Sequence, residues 1–304
     1  MMPRRPPLLA LLLLGLAALV GCRDTPSHSG SPLIVTSFFP LFDLVRQIVP
    51  DDCDVRCLVP PGGDPHGIEP TPDMARLVER ARIVVTLGLG MDAWLAKLTG
   101  GDASGQVIVA NFSLAERRVG TGALAEFSEA APDPAEIDPH LWLDPVLASR
   151  MVQFLSQSLA ERLPSHRKAI EARTQGLLMD LKRLDEEFRS GLADLPRRQV
   201  VTFHGAYGYL FARYRLETAG VVEPFPGDEP SAAYLRKLID LMRRLDLKVI
   251  FAEPQLPDRA AQVIASEIEG RVERLDPCET ILPEDPTVTY QQRQRPRSLR
   301  WDRS

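Results

Sequence analysis

The chain has 304 residues, 44% of them hydrophobic and 25% charged, with a formal net charge of −5. That length suits one large or two ordinary domains, and the composition is that of a globular protein rather than a fibrous or disordered one. The acidic balance argues against nucleic acid as a partner, because phosphate binding needs a basic face.

Residues 1–21 read as an export signal. Arg4 and Arg5 form a positive start and Leu8 to Val20 form an apolar run, too short to span a bilayer comfortably. Losing the two arginines takes the net charge from −5 to −7. The run ends at Leu19-Val20-Gly21-Cys22, which resembles the lipobox of bacterial lipoproteins. The resemblance implies that Cys22 carries a lipid and begins the mature chain. Residues 22–32, rich in Ser, Pro and Gly, read as a flexible tether, and His28 within it as a solvated linker residue. Cys53 and Cys57 would stand about 13 Å apart along a strand, too far to bridge. With Cys278 they are taken as structural or unassigned in preference to a metal role.

From residue 33 short apolar runs alternate with amphipathic stretches. Strands are predicted over 33–37, 54–59, 83–87 and 107–109, with helices over 39–49, from Thr71-Pro72-Asp73 onward, and over 91–98. Thr71 is a helix cap with Pro72 at the first helical position. Residues 60–70 hold too much Pro and Gly for a regular element. Residues 116–139 form a polar loop. A helix is predicted from Asp144-Pro145 to about Arg162, and a second from about Ser165 to Leu192, with Leu177, Leu178, Leu181, Leu184 and Phe188 at helical spacing. The alternation resumes after Pro196: strand 199–203, helix 206–214, a short strand near Val221, a helix capped by Ser231, strand 248–252, helix 258–269 and strand 271–275. The pattern predicts an α/β protein with two Rossmann-like lobes and mostly parallel sheets. The lobes span residues 33–164 and 196–282, and a long helix over 165–195 joins them. Residues 283–304 show no apolar periodicity and are expected to be poorly ordered.

Three of the five histidines, His66, His140 and His204, each follow a strand or loop end, where function concentrates. Two of them sit in Asp-Pro-His, at 64–66 and 138–140, where proline restricts the backbone and presets the side chain's position. Neutral imidazole is a good ligand for first-row divalent ions. The separations are far too long for a local motif, so the three act together only if the fold gathers them.

With these residues in view, the chain resembles the metal-binding lipoproteins of bacterial ABC importers for zinc and manganese. The resemblance rests on Leu58 to His66 with Glu69-Pro70-Thr71-Pro72, on Asp138 to Pro145, on Phe203 to Leu210, on Pro226 to Ser231 and on Ile250 to Gln255, and covers roughly residues 16–282. It implies a metal site in the cleft between the lobes, with His66, His140 and His204 as ligands and Asp276 as the fourth. Glu253 and Glu69 are expected to support the site without binding metal. Zn(II) is the expected cargo and Mn(II) the alternative, since manganese prefers oxygen-rich sites. The partners implied are a membrane permease and, through Cys22, the membrane, with the chain monomeric on the outer face of the cell membrane.

Three departures from the family pattern stand out. Residues 120–137 are acidic but contain no His. Position 205 is Gly where a polar residue is usual, which would loosen the support around His204. The Arg/Gln-rich tail replaces a terminal helix packed on the second lobe. Two other functions are weighed. A membrane-anchored zinc hydrolase would use the same histidines but needs an open metal position and a general base, with Glu253 or Glu69 as the nominees. An adhesin-type lipoprotein has no residue pattern for or against it.

Overall fold

The computed structural model describes residues 30–99, 106–110, 137–223 and 230–295. The signal segment, Cys22, most of the tether, residues 111–136 with most of the predicted polar loop, residues 224–229 and residues 296–304 lie outside the described residues. Everything below belongs to the compact unit Pro32–Ser304.

Two four-stranded parallel sheets carry the chain. The first pairs β1 (Leu33–Thr36), β2 (Asp54–Cys57), β3 (Ile83–Thr86) and β4 (Val107–Val109) in the order β2-β1-β3-β4. The second pairs β5 (Gln199–Thr202), β6 (Glu217–Val221), β7 (Val249–Ala252) and β8 (Arg271–Arg274) in the matching order β6-β5-β7-β8. Central strands β1, β3, β5 and β7 read as nearly continuous apolar runs because helices cover both faces of a parallel sheet. The edge strands β2 and β8 carry Asp54, Arg56, Arg271, Glu273 and Arg274, charges that protect an open edge from pairing with another chain.

The helices are α1 (Phe39–Ile48), α2 (Pro72–Arg80), α3 (Ala96–Thr99), α4 (Pro145–Arg162), α5 (Arg167–Gly191), α6 (Gly208–Tyr214), α7 (Ala232–Arg244), α8 (Arg259–Glu267) and α9 (Tyr290–Gln294). Their starts follow local chemistry. Thr71 accepts the Met74 amide at 3.3 Å and Ser231 accepts that of Tyr234 at 3.1 Å. Asp144 accepts from Val146 at 2.9 Å and Leu147 at 3.3 Å, with Pro145 in the first turn where no amide is needed. The 25 residues of α5 make it about 37 Å long. Its buried stripe, Ile170, Thr174, Leu177, Leu181, Leu184 and Phe188, steps by three and four and packs along α4. This helix links the two lobes.

The tail departs from the sequence expectation. Residues 283–295 are folded, and α9 lies against α1 and α5 rather than on the second sheet. Thr289 and Gln292 form a reciprocal capping box. Tyr290 is fully buried, its amide donates to Asp43 at 2.7 Å, and its hydroxyl donates to the Trp142 carbonyl. Gln291 and Gln47 exchange hydrogen bonds at 2.9 and 3.1 Å. A five-residue helix is too short for its periodicity to show, and Tyr290 and Gln291 are buried by partners more than 100 residues away in the chain. Tyr290→Ala is therefore expected to cost about 3–5 kcal/mol, the range for emptying a buried aromatic site. Chemical denaturation should show a lowered midpoint, whereas an unchanged midpoint would mean that the strap contributes nothing to stability.

Candidate metal centre

Asp-Pro turns shape the site. In Asp64-Pro65-His66 the His66 amide donates to Asp64 at 2.9 Å, and in Asp138-Pro139-His140 the His140 amide donates to Asp138 at 2.9 Å. Proline holds the preceding Asp extended, and the Asp carboxylate closes the turn on the amide two residues on. Asp138 also accepts from His140 Nδ1 at 2.7 Å. That bond places the proton on Nδ1 and leaves the Nε2 lone pair facing inward. Gly208 makes room for this carboxylate: a Cβ there would lie 2.7 Å from Asp138 Oδ2.

His204 enters from the second lobe, just past β5. The order β6-β5-β7-β8 reverses direction between β5 and β7, the point where open α/β sheets bind ligands beyond their strand ends. Glu253 follows β7 at the same crevice. It accepts from His204 Nδ1 and, at 3.3 Å, from the His204 amide, while Gln255 donates to its other oxygen at 2.9 Å. His204 and Glu253 are 2% and 1% exposed, so the pair works as a buried support that aims Nε2 at the cleft. A Cβ at Gly205 would meet nothing within 4 Å, so this position borders open space.

His66, His140 and His204 converge, and the fourth group beside them is Glu279. Glu279 Oε1 stands 3.5 Å from His66 Nε2, 3.1 Å from His140 Nε2 and 3.4 Å from His204 Nε2. The His140 and His204 Nε2 atoms are 3.4 Å apart. Asp276 does not join them. Its two oxygens accept from Arg293 at 2.6 and 2.7 Å, and one of them also accepts the Cys278 amide at 2.7 Å. It closes a third Asp-Pro turn, which carries the chain on to Glu279. Glu69 lies exposed and outside the cluster.

Glu279 had no sequence signal of its own. The useful hint is the Asp-Pro turn: in 64–66 and 138–140 the group delivered to the site follows the turn, whereas the turn's Asp is spent on backbone.

The arrangement suits a cation. Glu279 Oε1 and His66 Nε2 are buried yet lack an aligned hydrogen-bond partner, which is costly for groups of this polarity. A tetrahedral ion bonded at 2.0–2.1 Å separates its ligand atoms by about 3.3 Å, and the four separations above run from 3.1 to 3.5 Å. Three imidazoles and one carboxylate form a borderline-soft donor set of the kind that suits zinc.

The charges agree. Burial opposes charging of His140 and His204, but Asp138, Glu253 and Glu279 outweigh it and raise both pKa values, that of His204 well above the usual range. Burial also works against the Glu279 carboxylate, yet the three imidazoles hold it well below the ordinary carboxylate value. The cleft without a metal is therefore a carboxylate wrapped in protonatable imidazoles, and an entering cation takes the place of protons. The raised imidazole pKa values stabilise the metal-free fold below the unfolded histidine value of about 6.5, and that stabilisation is lost as pH rises through the folded values. Metal binding runs the other way, because its ligands must be deprotonated. The rise in melting temperature on adding Zn(II) is expected to shrink steadily from about pH 8 to about pH 5, a span bracketing the imidazole value. A pH-independent rise would show that no histidine proton is displaced.

Two parallel-sheet lobes on a linking helix, with four inward-facing donors between them, define a two-lobed solute-binding protein. A family model described as zinc-uptake complex component A, periplasmic, matches residues 34–296, and the chain belongs to that family. The high-affinity zinc uptake system protein ZnuA of Bacillus subtilis is 29% identical over 261 residues, which cover 83% of this chain and 80% of that protein. The zinc-binding lipoprotein AdcA of Streptococcus pneumoniae is 27% identical over 294 residues, 91% of this chain but 56% of AdcA, so the chain spans little more than half of that relative. The solved Zn(II)-bound ZnuA-like domain of Streptococcus pneumoniae AdcA matches with a TM-score of 0.73 at 25% identity, covering 87% of this chain and 95% of the domain. The family is one of metal-uptake binding components, not of enzymes.

Proposed function

We propose that this chain captures Zn(II) outside the cytoplasm and delivers it to the permease of an ABC importer. The observation that carries the reading is the convergence of His66, His140, His204 and Glu279 on one ion-sized point between the lobes. Four protein donors close a zinc coordination sphere, as a carrier requires, whereas a catalytic zinc keeps one position open for water. Glu253, the nominated general base of a hydrolase, is held by His204 and Gln255. Mn(II) is the weaker candidate because only one of the four donors is oxygen. The support given by Asp138 and Glu253 to their histidines fixes the ring orientation, which is how such outer groups usually strengthen a site.

Among the described residues no helix is long and apolar enough to cross a membrane, and membrane attachment is assigned to a lipid on Cys22. Cys22→Ala is expected to release the chain from the membrane fraction, and continued lipid labelling of that variant would end the assignment.

The test of the main reading is titration of metal-free chain with Zn(II) and Mn(II), followed by calorimetry. One tightly held zinc per chain, with manganese bound more weakly, is the expected result. A ligand present at 100 times its Kd should also stabilise the fold by about 2.7 kcal/mol. Absence of tight binding for either ion would overturn the proposal.

A further inference from the structure

A second group of ligand-type side chains lies at the other end of the first lobe. Asp52 and Cys53 precede β2, at the end of the sheet opposite the one that leads to His66. His166 stands at the junction between α4 and α5. One ligand atom from each of Asp52, Cys53 and His166 falls within 4.8 Å of the others. His166 Nε2 faces Asp52 Oδ2 at 3.1 Å, and its Nδ1 lies 3.0 Å from the Ser165 hydroxyl. That second contact occupies Nδ1 and turns Nε2 toward the cluster, as an outer partner does for a metal-bound imidazole.

Both backbone segments are fixed. The Cys53 amide closes a turn onto Pro50 at 3.0 Å, and the His166 amide closes one onto Leu163 at 2.9 Å. Arg173 donates to the Val49 carbonyl at 3.0 Å and to Asp51 at 2.9 Å, which pins the loop to α5. Cys53 is a free, half-buried thiol.

We infer that Asp52, Cys53 and His166 form a peripheral site for a thiophilic divalent cation of the Zn(II), Co(II) and Cd(II) class, separate from the cleft. One thiolate and one carboxylate balance the 2+ charge, the imidazole supplies a third donor, and a fourth position remains for water. Thiolate and imidazole together select such ions over Mg(II) or Ca(II). Binding forms a metal–sulfur bond and releases the Cys53 thiol proton to solvent. Occupied, the site ties the start of the linking helix to the loop ahead of β2.

The cleft contains no thiolate, which makes the two sites optically separable. Metal-free full-length chain is titrated with Co(II) and in parallel with Cd(II), while the sulfur-to-metal charge-transfer absorption is followed. The expected result is an absorption that is present in the parent chain, lost in Cys53→Ser, strongly reduced in His166→Ala, and retained in both Cys278→Ser and His204→Ala. Retention in His204→Ala keeps this outcome independent of whether the cleft reading holds. Matching circular dichroism of Cys53→Ser and parent would show that the loss is not misfolding. No charge-transfer absorption in the parent chain, or one that survives Cys53→Ser, would overturn the proposal and leave His166 and Asp52 as an ordinary surface ion pair.

Discussion

His204→Ala is expected to weaken zinc binding by roughly 100-fold or more, since loss of even an outer supporting group costs 10- to 100-fold. The substitution removes one of four donors and also strands Glu253, which is 1% exposed and, among the described residues, keeps only Gln255 as a side-chain hydrogen-bond partner. An uncompensated buried carboxylate is strongly destabilising unless it takes up a proton. Burial already raises the Glu253 pKa even with the imidazole beside it, so protonation limits the damage to the metal-free fold. Adding Glu253→Gln to His204→Ala should recover melting temperature without recovering affinity. Zinc titration together with thermal unfolding separates the two effects. Unchanged zinc affinity in His204→Ala would remove His204 from the site.

Glu279→Gln is expected to have a comparable effect on affinity, and Asp276→Asn a much smaller one. The glutamine keeps the volume of Glu279 but removes the only negative charge among the four donors, leaving three imidazoles around a cation. Asp276 touches the site only through the backbone. Its loss of charge weakens the pair with Arg293, whose guanidinium also lies 4.6 Å over the Phe39 ring. A hydrogen-bonded charge pair this buried contributes about 1.5–3 kcal/mol. Asp276→Asn should therefore lower the melting temperature while zinc affinity stays within about tenfold. The opposite ranking, with Asp276→Asn abolishing binding and Glu279→Gln tolerated, would make Asp276 the ligand and refute the assignment of Glu279.

The contrast between these two carboxylates shows where sequence reasoning stops. Both follow β8 within a few residues, and an Asp directly after a strand is the natural nominee. Arg293 decides against it. That arginine lies in a segment without periodicity, on the short helix that Tyr290 ties to Asp43 and Trp142.

The sequence by itself determined the elements and their alternation. Apolar runs of strand length, caps at Thr71, Asp144 and Ser231, and the three- and four-residue steps of α5 act over a few residues and can be read locally. It also marked His66, His140 and His204, because Asp-Pro turns and strand ends leave local traces. The tertiary structure alone decided that the three imidazoles share one point, that Glu279 completes them, that Glu253 and Asp138 aim two of the rings, and that the tail folds back onto α1 and α5. Those outcomes depend on contacts between residues tens to hundreds of positions apart. Such contacts come from packing whole elements together, and no local propensity encodes them.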